Sequence, residues 1–345
     1  MSKRIAYISF AFCFLCLGFL QGIAQTTVSS PLAFDIAMDA RSSGLGGKIA
    51  GEFENNGYML AYNPALADST MKGRVYVSYL NYFAGIQGGA VSAVVANRGK
   101  LNIHTGYRFT SFGTFEGFDA SGVPTSEFSG GDYFLQSGIT YRPDTNFVIG
   151  ATLWGGFRNL ALENAGCGGI DISVIKTWPS KRMAVGLLTS GLGRQFAGTG
   201  SQPIGWMPAN IQLGFTKGFN HAPFRLFTQI NHIEDWNLTP EGTHDDYVDP
   251  LTGEVVENTS WVRLDEFARH IVFGVELSFG ENFAAQIGYD HRRRKEMTAA
   301  GRQGTNGLSI GLGMEFKDFD VNLARNTYHF SGSSTHLSIS FILPS

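Results

Sequence analysis

The sequence predicts an all-β fold: a transmembrane antiparallel barrel of about fourteen strands, with an N-terminal segment placed as a hatch on the periplasmic side or in the lumen. Three observations predict it. Long stretches alternate between apolar and small or polar residues, the composition is poor in charge and rich in glycine and aromatics, and the connections between stretches are short and long by turns.

The alternation is cleanest near the C-terminus. In "GLSIGLGMEF", residues 307–316, Leu308, Ile310, Leu312, Met314 and Phe316 share one parity and Gly307, Ser309, Gly311, Gly313 and Glu315 the other. A period of two means a strand whose faces meet different surroundings. In a soluble sandwich the polar face would carry Thr, Lys and Glu in water, and glycine and serine fit that role poorly. A barrel in a bilayer turns its apolar face to lipid and its small, polar face to a crowded interior. Ile271, Phe273, Val275, Leu277 and Phe279 repeat the pattern, as do Phe283, Ala285, Ile287 and Tyr289, and Leu337, Ile339 and Phe341.

Composition agrees. Of 345 residues 16% are charged, against roughly 25% in soluble domains. The 44 glycines, 28 Phe and 12 Tyr suit a lipid-exposed sheet. A net charge of -3 gives no electrostatic footprint for nucleic acid. Residues 1–24 read as a secretory signal: Lys3 and Arg4, the apolar run "IAYISFAFCFLCLGFLQGIA", then Gly22-Ile23-Ala24 as a small-x-small cleavage site. Beyond residue 25 no stretch reaches the roughly 18 apolar residues of a spanning helix, so membrane spans must be strands. Cys167 is the one cysteine left after the signal, which excludes a disulfide framework and a thiolate metal site.

Fourteen alternating or glycine-rich aromatic runs follow, at 74–83, 87–97, 100–112, 130–142, 146–158, 165–178, 181–195, 208–219, 223–232, 266–279, 283–295, 305–316, 319–329 and 334–343. Connections after even-numbered runs are turns such as "NRG", "RPDT", "NHA" and "KD", whereas those after odd-numbered runs extend over 113–129, 159–164, 196–207, 233–265 and 296–304, with short exceptions at 84–86 and 330–333. Turns on one rim, loops on the other and an even strand count are the outer-membrane pattern, which puts both termini in the periplasm.

Residues 25–73 precede the barrel (74–345) as a hatch segment. "GLGG" at Gly44, Leu45, Gly46 and Gly47 supplies backbone freedom for close approach. Asn63-Pro64-Ala65 marks a turn, and Tyr58, Met59, Leu60 and Tyr62 need burial. With "DARSSGLGG", "YNPAL" at 62–66 and fourteen strands together, the chain resembles the outer-membrane long-chain fatty-acid transporter (FadL-type) family, and within it the PorV/PorQ group of type IX secretion barrels. The resemblance implies a luminal hatch and a non-enzymatic role in the attachment complex. There the barrel would hold a PorZ-like surface protein and work beside PorU and PorV as cargo is joined to lipopolysaccharide. The broader family implies the alternative, a channel for hydrophobic small molecules.

Candidate chemistry is sparse. The longest loop gathers Glu234, Asp235, Glu241, His244, Asp245, Asp246, Asp249, Glu254 and Glu257. Such oxygen-rich spacing suits calcium, yet the ordered ligand-Gly-Glu pattern is missing, so no metal or cofactor is assigned. "YVDPLTGEVVE" reads better as a hairpin turning at Asp249–Gly253, and Glu241, His244, Asp245, Asp246, Tyr247, Asp249 and Trp261 form the candidate partner-docking loop, with 113–129 beside it. "HRRRK" follows Tyr289 at a strand end; continued alternation puts His291, Arg293 and Lys295 toward lipid, where guanidinium and ammonium groups suit lipopolysaccharide phosphates. No GxSxG, HExxH or P-loop occurs, and His104, Asp290 and His291 have no nucleophile in recognisable context.

Overall fold

The computed structural model describes residues 32–343 apart from 55, 120, 161–162, 200–203, 240–246, 249–254, 257–261, 281, 298–304 and 330–331. The signal segment 1–24 lies outside them. Fourteen long strands form one antiparallel sheet: β1 Arg74–Asn81, β2 Gln87–Arg98, β3 Leu101–Phe115, β4 Phe128–Asp144, β5 Phe147–Leu160, β6 Glu163–Trp178, β7 Met183–Gly198, β8 Asn210–Gly218, β9 Phe224–Ile230, β10 Ile271–Phe279, β11 Phe283–Asp290, β12 Leu308–Glu315, β13 Phe319–His329 and β14 Gly332–Ile342. Each pairs with its chain neighbour, and β1 pairs with β14, from Arg74 opposite Ile342 to Asn81 opposite Thr335. The sheet therefore closes and keeps no edge, the condition for strands to live in hydrocarbon.

Alternation sets which face meets what. Along β12, Leu308, Ile310, Leu312 and Met314 are 38–59% exposed, whereas Ser309, Gly311 and Gly313 are buried. The apolar parity looks outward to lipid all round the barrel, with Leu135, Leu153, Ile287 and Leu323 among the most open positions. Near the turn rim the band ends in aromatics: Phe279 pairs across strands with Phe283, and Phe316 stacks on Phe319 at 4.6 Å. The wall is uneven, because β3 to β7 run 14 to 17 residues and β8 to β12 only seven to nine.

Two strand expectations are corrected at the loop rim. The run 266–279 begins as helix α3, Val262–Arg269, and becomes strand only at Ile271; the run 283–295 stops at Asp290, beyond which His291–Glu296 is helix α4. In both cases the apolar period of two gives way to charge-rich sequence. Asp290 accepts from Arg293 N at 3.1 Å and caps α4, so a helix start replaces the continuing strand. In the longest loop Tyr247 pairs with Val256 and Val248 with Val255, as the expected hairpin requires, while its turn at 249–253 lies outside the described residues.

The described residues from 32 to 67 lie mostly inside the barrel, and Ser69, Thr70, Lys72 and Gly73 are exposed. Residues 32–73 form two short helices, α1 Leu32–Asp35 and α2 Ala40–Gly44, and 3-10 turns at Gly57–Ala61, Pro64–Leu66 and Ser69–Met71. Phe34, Met38, Leu45, Ile49, Met59 and Leu60 are buried in one core with Leu80, Phe134, Trp154, Leu188 and Phe227 of the wall. The small inner residues of the strands are thus explained by a second layer of chain rather than by an open aqueous lumen.

Candidate functional site

The candidate site is the joint between this inner segment and the wall. Asn63 is its first fixed point. Its side-chain oxygen accepts from Ala65 N at 3.2 Å, capping the turn that Pro64 opens, and its Nδ2 donates to the carbonyls of Ile49 and Ala50 at 3.1 and 3.2 Å. One buried amide thereby ties two separate stretches of the inner segment together. Thr140 of β4 donates to the Pro64 carbonyl. The wall residue facing Pro64 is Gly150, where a Cβ would come within 2.3 Å of the Pro64 carbonyl carbon.

"GLGG" is the second contact. Asp39 caps α2 by accepting from Ser42 N at 2.8 Å and also accepts from the Tyr62 hydroxyl at 3.2 Å. The helix ends at Gly44, and Gly46 then adopts φ +102, a conformation that side chains rarely take. Opposite it, a Cβ on Gly288 would lie 2.3 Å from Gly46 N. Leu45 is buried, whereas a Cβ on Gly47 would meet nothing within 4 Å.

Toward the turn rim the joint becomes ionic. Arg41 of α2 makes two bonds to Glu276 of β10, Nε to Oε2 at 2.7 Å and Nη2 to Oε1 at 3.2 Å, and a third from Nη1 to Glu52 Oε2 at 3.0 Å. Arg225 of β9 bonds to the same Glu276 and to Glu54, and Gln286 donates to Glu276 Oε2 at 3.1 Å. Three charges from the inner segment and two from the wall thus meet here, two of them positive and three negative, and Arg182 lies 4.0 Å from Glu54. Below them opens a cavity of ≈ 510 Å³, bordered by Tyr58, Arg74, Arg182, Met314 and Asp320 as well as Arg41.

The other half is aromatic. Phe34 packs against Phe134 at 4.8 Å and Trp154 at 4.6 Å, and the Arg108 guanidinium lies 4.1 Å above the Phe34 ring. Arg108 is 1% exposed and 3.9 Å from Asp171, whose Oδ1 is already taken by Trp154 Nε1 at 3.0 Å and Gly191 N at 2.8 Å. His104 is buried in the wall and bonded to Thr152 Oγ1 at 2.9 Å.

At the loop rim, Asp265 of α3 gathers Arg269 at 2.8 Å, His291 at 3.1 Å and Lys295 at 3.2 Å, which joins α3 to α4. Burial would raise the Asp265 carboxyl, but hydrogen bonds from His291, Arg269 and Lys295 outweigh it and hold the group at about 2. Of the three residues placed toward lipid, His291 is bonded between Tyr289 and Asp265. Lys295 keeps 48% of its side chain open. Arg293 turns inward to the Gly46 carbonyl at 3.3 Å and to Asp290. Strand parity misplaced Arg293 because the strand had already ended. In the docking loop Tyr247 belongs to the small hairpin, while Glu241, His244, Asp245, Asp246, Asp249 and Trp261 lie outside the described residues. Among the described residues no group of three or more His, Cys, Asp or Glu is arranged to hold a metal ion.

Arg41, Glu52, Arg225 and Glu276 were not singled out from the sequence. The available signal was charge at inward parity: Arg225 and Glu276 interrupt otherwise apolar or small runs and pair directly across β9 and β10.

No family model and no curated protein matches the chain. Among solved structures it is similar to the toluene transporter TodX of Pseudomonas putida, at 15% identity over 89% of this chain and 97% of that one, with a TM-score of 0.52. It is similar to the CymD monoaromatic hydrocarbon channel at 12% identity over 92% and 100%, with a TM-score of 0.54. A FadL homologue of Pseudomonas aeruginosa aligns over 92% and 99% at 10% identity, with a TM-score of 0.41. The likeness to TodX and CymD is one of fold, a closed antiparallel outer-membrane barrel.

Proposed function

We propose that the protein is an outer-membrane barrel held shut by its own N-terminal segment, and that it acts as a non-enzymatic anchor for a surface partner. The turn rim and both termini face the periplasm and the loop rim the exterior. The partner is the PorZ-like protein implied by the likeness to the PorV/PorQ group, with PorU and PorV alongside and lipopolysaccharide as the acceptor of cargo. The observation that carries this reading is the bond set of Arg41, Glu52, Arg225 and Glu276, reinforced by the Gly46–Gly288 approach: it fastens the inner segment to the wall where a through-path would run. A barrel fastened in this way suits holding better than conducting.

Extraction from the native membrane in mild detergent tests it. A surface protein should co-purify, and deletion of 241–257 should release it while the barrel still assembles. Retention of every partner after that deletion removes the loop from the dock.

Uptake of a hydrophobic small molecule is the second reading, favoured by the buried Phe34, Phe134 and Trp154 cluster and by a fold shared with TodX and CymD. Vesicles carrying the purified barrel that accumulate labelled toluene or a long-chain fatty acid faster than empty vesicles would decide for it.

A further inference from the structure

The left-handed turn in "GLGG" lies directly beneath the α3–α4 corner. A Cβ on Gly46 would stand 2.7 Å from Val272 Cγ1, 3.4 Å from Tyr289 N and 3.7 Å from Gly288 Cα. Val272 of β10 pairs with Asp290 of β11 at the loop rim. Helix α3 ends at Arg269, just before that pair, and α4 begins at His291, just after it. From α4 the Arg293 side chain, 13% exposed, reaches back over the rim: its Nη2 donates to the Gly46 carbonyl at 3.3 Å and lies 3.3 Å from Asp290 Oδ2. α4 is held in turn by α3, since Asp265 Oδ1 is 3.1 Å from His291 Nε2 and 3.2 Å from Lys295 Nζ. A line of polar contacts thus runs from α3, where the longest loop re-enters the wall, through α4 to the backbone of the inner segment.

The receiving end of this line can take two arrangements. Gly46 has φ +102, and glycine adopts negative φ about as readily, so the turn has a second conformation at little intrinsic cost. Contacts from outside the turn select the one observed. The bond from the Arg293 guanidinium is charge-assisted, and it exists only while the Gly46 carbonyl is aimed at α4. Below the turn, Gly46 N donates to Ser43 O at 3.1 Å and Gly47 N to Ser42 O at 3.0 Å, which joins it to α2. Arg41, at the other end of α2, is bonded to Glu276 and Glu52. The Gly46 turn and the ion cluster are therefore opposite ends of one five-residue helix. A bistable element with a fixed contact on each side is the physical requirement for coupling.

We propose that Arg293 is a latch through which the α3–α4 corner controls how firmly the inner segment is fastened. With α3 seated, Asp265 holds His291 and Lys295, α4 keeps its orientation and Arg293 keeps the Gly46 carbonyl. A surface partner that draws α3 aside takes Asp265 off α4, the guanidinium leaves the carbonyl, and the turn relaxes with α2 behind it. Occupancy outside is thereby registered on the inner segment. This rests on the reading above, a barrel held shut by that segment with a partner on the loop ahead of α3.

The test is hydrogen exchange of the full-length barrel in detergent, read by mass spectrometry over residues 41–47. These amides should be protected in the parent. Arg293→Gln should speed their exchange about tenfold, and Arg293→Lys, which keeps a charge and a donor, should speed it less. Asp265→Asn, a substitution in α3 rather than in α4 or the inner segment, should speed the same amides several-fold. Introduced into Arg293→Gln it should add nothing there, because the path is already cut. Lys317→Gln, on the turn rim, should leave 41–47 at the parent rate. An Asp265→Asn variant with parental exchange at 41–47 overturns the transmission, and so do effects that multiply in the double variant. Parental exchange in Arg293→Gln overturns the latch itself. An unchanged β-sheet circular dichroism spectrum verifies that the variants fold. The two readings fail separately: free exchange of 41–47 in the parent sinks the fastened inner segment, whereas protection there that ignores both Arg293 and Asp265 sinks only the latch.

Discussion

Arg41 and Glu276 are joined side-on, two nitrogens of one guanidinium to two oxygens of one carboxylate, at 2.7 and 3.2 Å. The pair bridges the inner segment and the wall, and Arg225 shares the same carboxylate. Removing one member of a buried ion cluster leaves the others charged without a partner, which is worse than having no cluster. Glu276→Leu should therefore destabilise the barrel by about 3 to 5 kcal/mol, read as a lower urea midpoint in micelles. It should also raise the ion conductance of the barrel in planar bilayers, because the inner segment loses its main tie to β10. Unchanged conductance together with a lowered midpoint would mean that the glycine contacts alone keep the lumen shut.

Adjacent glycines in "GLGG" should behave differently. Gly46 has φ +102, and a Cβ there would stand 2.7 Å from Val272 Cγ1; beside Gly47 there is open space. Gly46→Ala should cost about 1 to 3 kcal/mol through backbone strain and contact with the wall, whereas Gly47→Ala should stay within about 0.5 kcal/mol of the parent. Chemical denaturation of the two variants in the same detergent measures the difference. Equal effects would mean that the chain at Gly46 does not run against β10 and β11 as described.

The barrel was legible in the sequence because lipid imposes a strict period of two and the rims impose turn lengths. The fourteen long strands were anticipated within a few residues, except where α3 and α4 replaced the expected strand ends at 266–270 and 291–295; the short strand Gly205–Trp206, paired with Gln195 and Arg194, had been read as loop. Those misses share a cause. Outside the hydrocarbon no solvent enforces alternation, and local capping by Asp290 decides. The motif residues Asn63 and Gly46 could be singled out because their chemistry is local, a cap and a left-handed turn. The ion cluster could not, since its members are separated by up to 235 positions and meet only through closure of the barrel. The inner face is filled more completely than the sequence could show. Ser309 was expected to face a crowded polar interior; it is 1% exposed, and what crowds it is the inner segment, which packs against β12 with Gly44 close to Gly311. A substitution such as Ser309→Arg would therefore clash with packed chain instead of being tolerated.

Positions along one strand test the hydrocarbon limit. Ile339 of β14 faces lipid between Val77 and Val321, and Thr335, four residues nearer the loop rim, stands between Asn81 and Arg325. Ile339→Arg should cost roughly 2 to 4 kcal/mol and Thr335→Arg about 0 to 1. Folding titrations into phospholipid vesicles give both values. Similar penalties would place Thr335 as deep in the hydrocarbon as Ile339.

The α3–α4 corner should respond to acid in a defined direction. Asp265, held at about 2 against an ordinary value of 3.8, contributes its stabilisation fully above the ordinary value and loses it as pH falls through the folded one. Hydrogen-exchange protection of α3 amides, corrected for intrinsic rates, should therefore be level at pH 5 and above and decline between about 4 and 2. Asp265→Asn should lower protection at pH 6 and abolish this decline, since Arg269, His291 and Lys295 then lose the shared carboxylate. An acid decline that persists unchanged in Asp265→Asn would assign the sensitivity to another carboxylate at the rim and leave the corner held by packing, with Trp236 stacked on Phe267 and His270 as its remaining support.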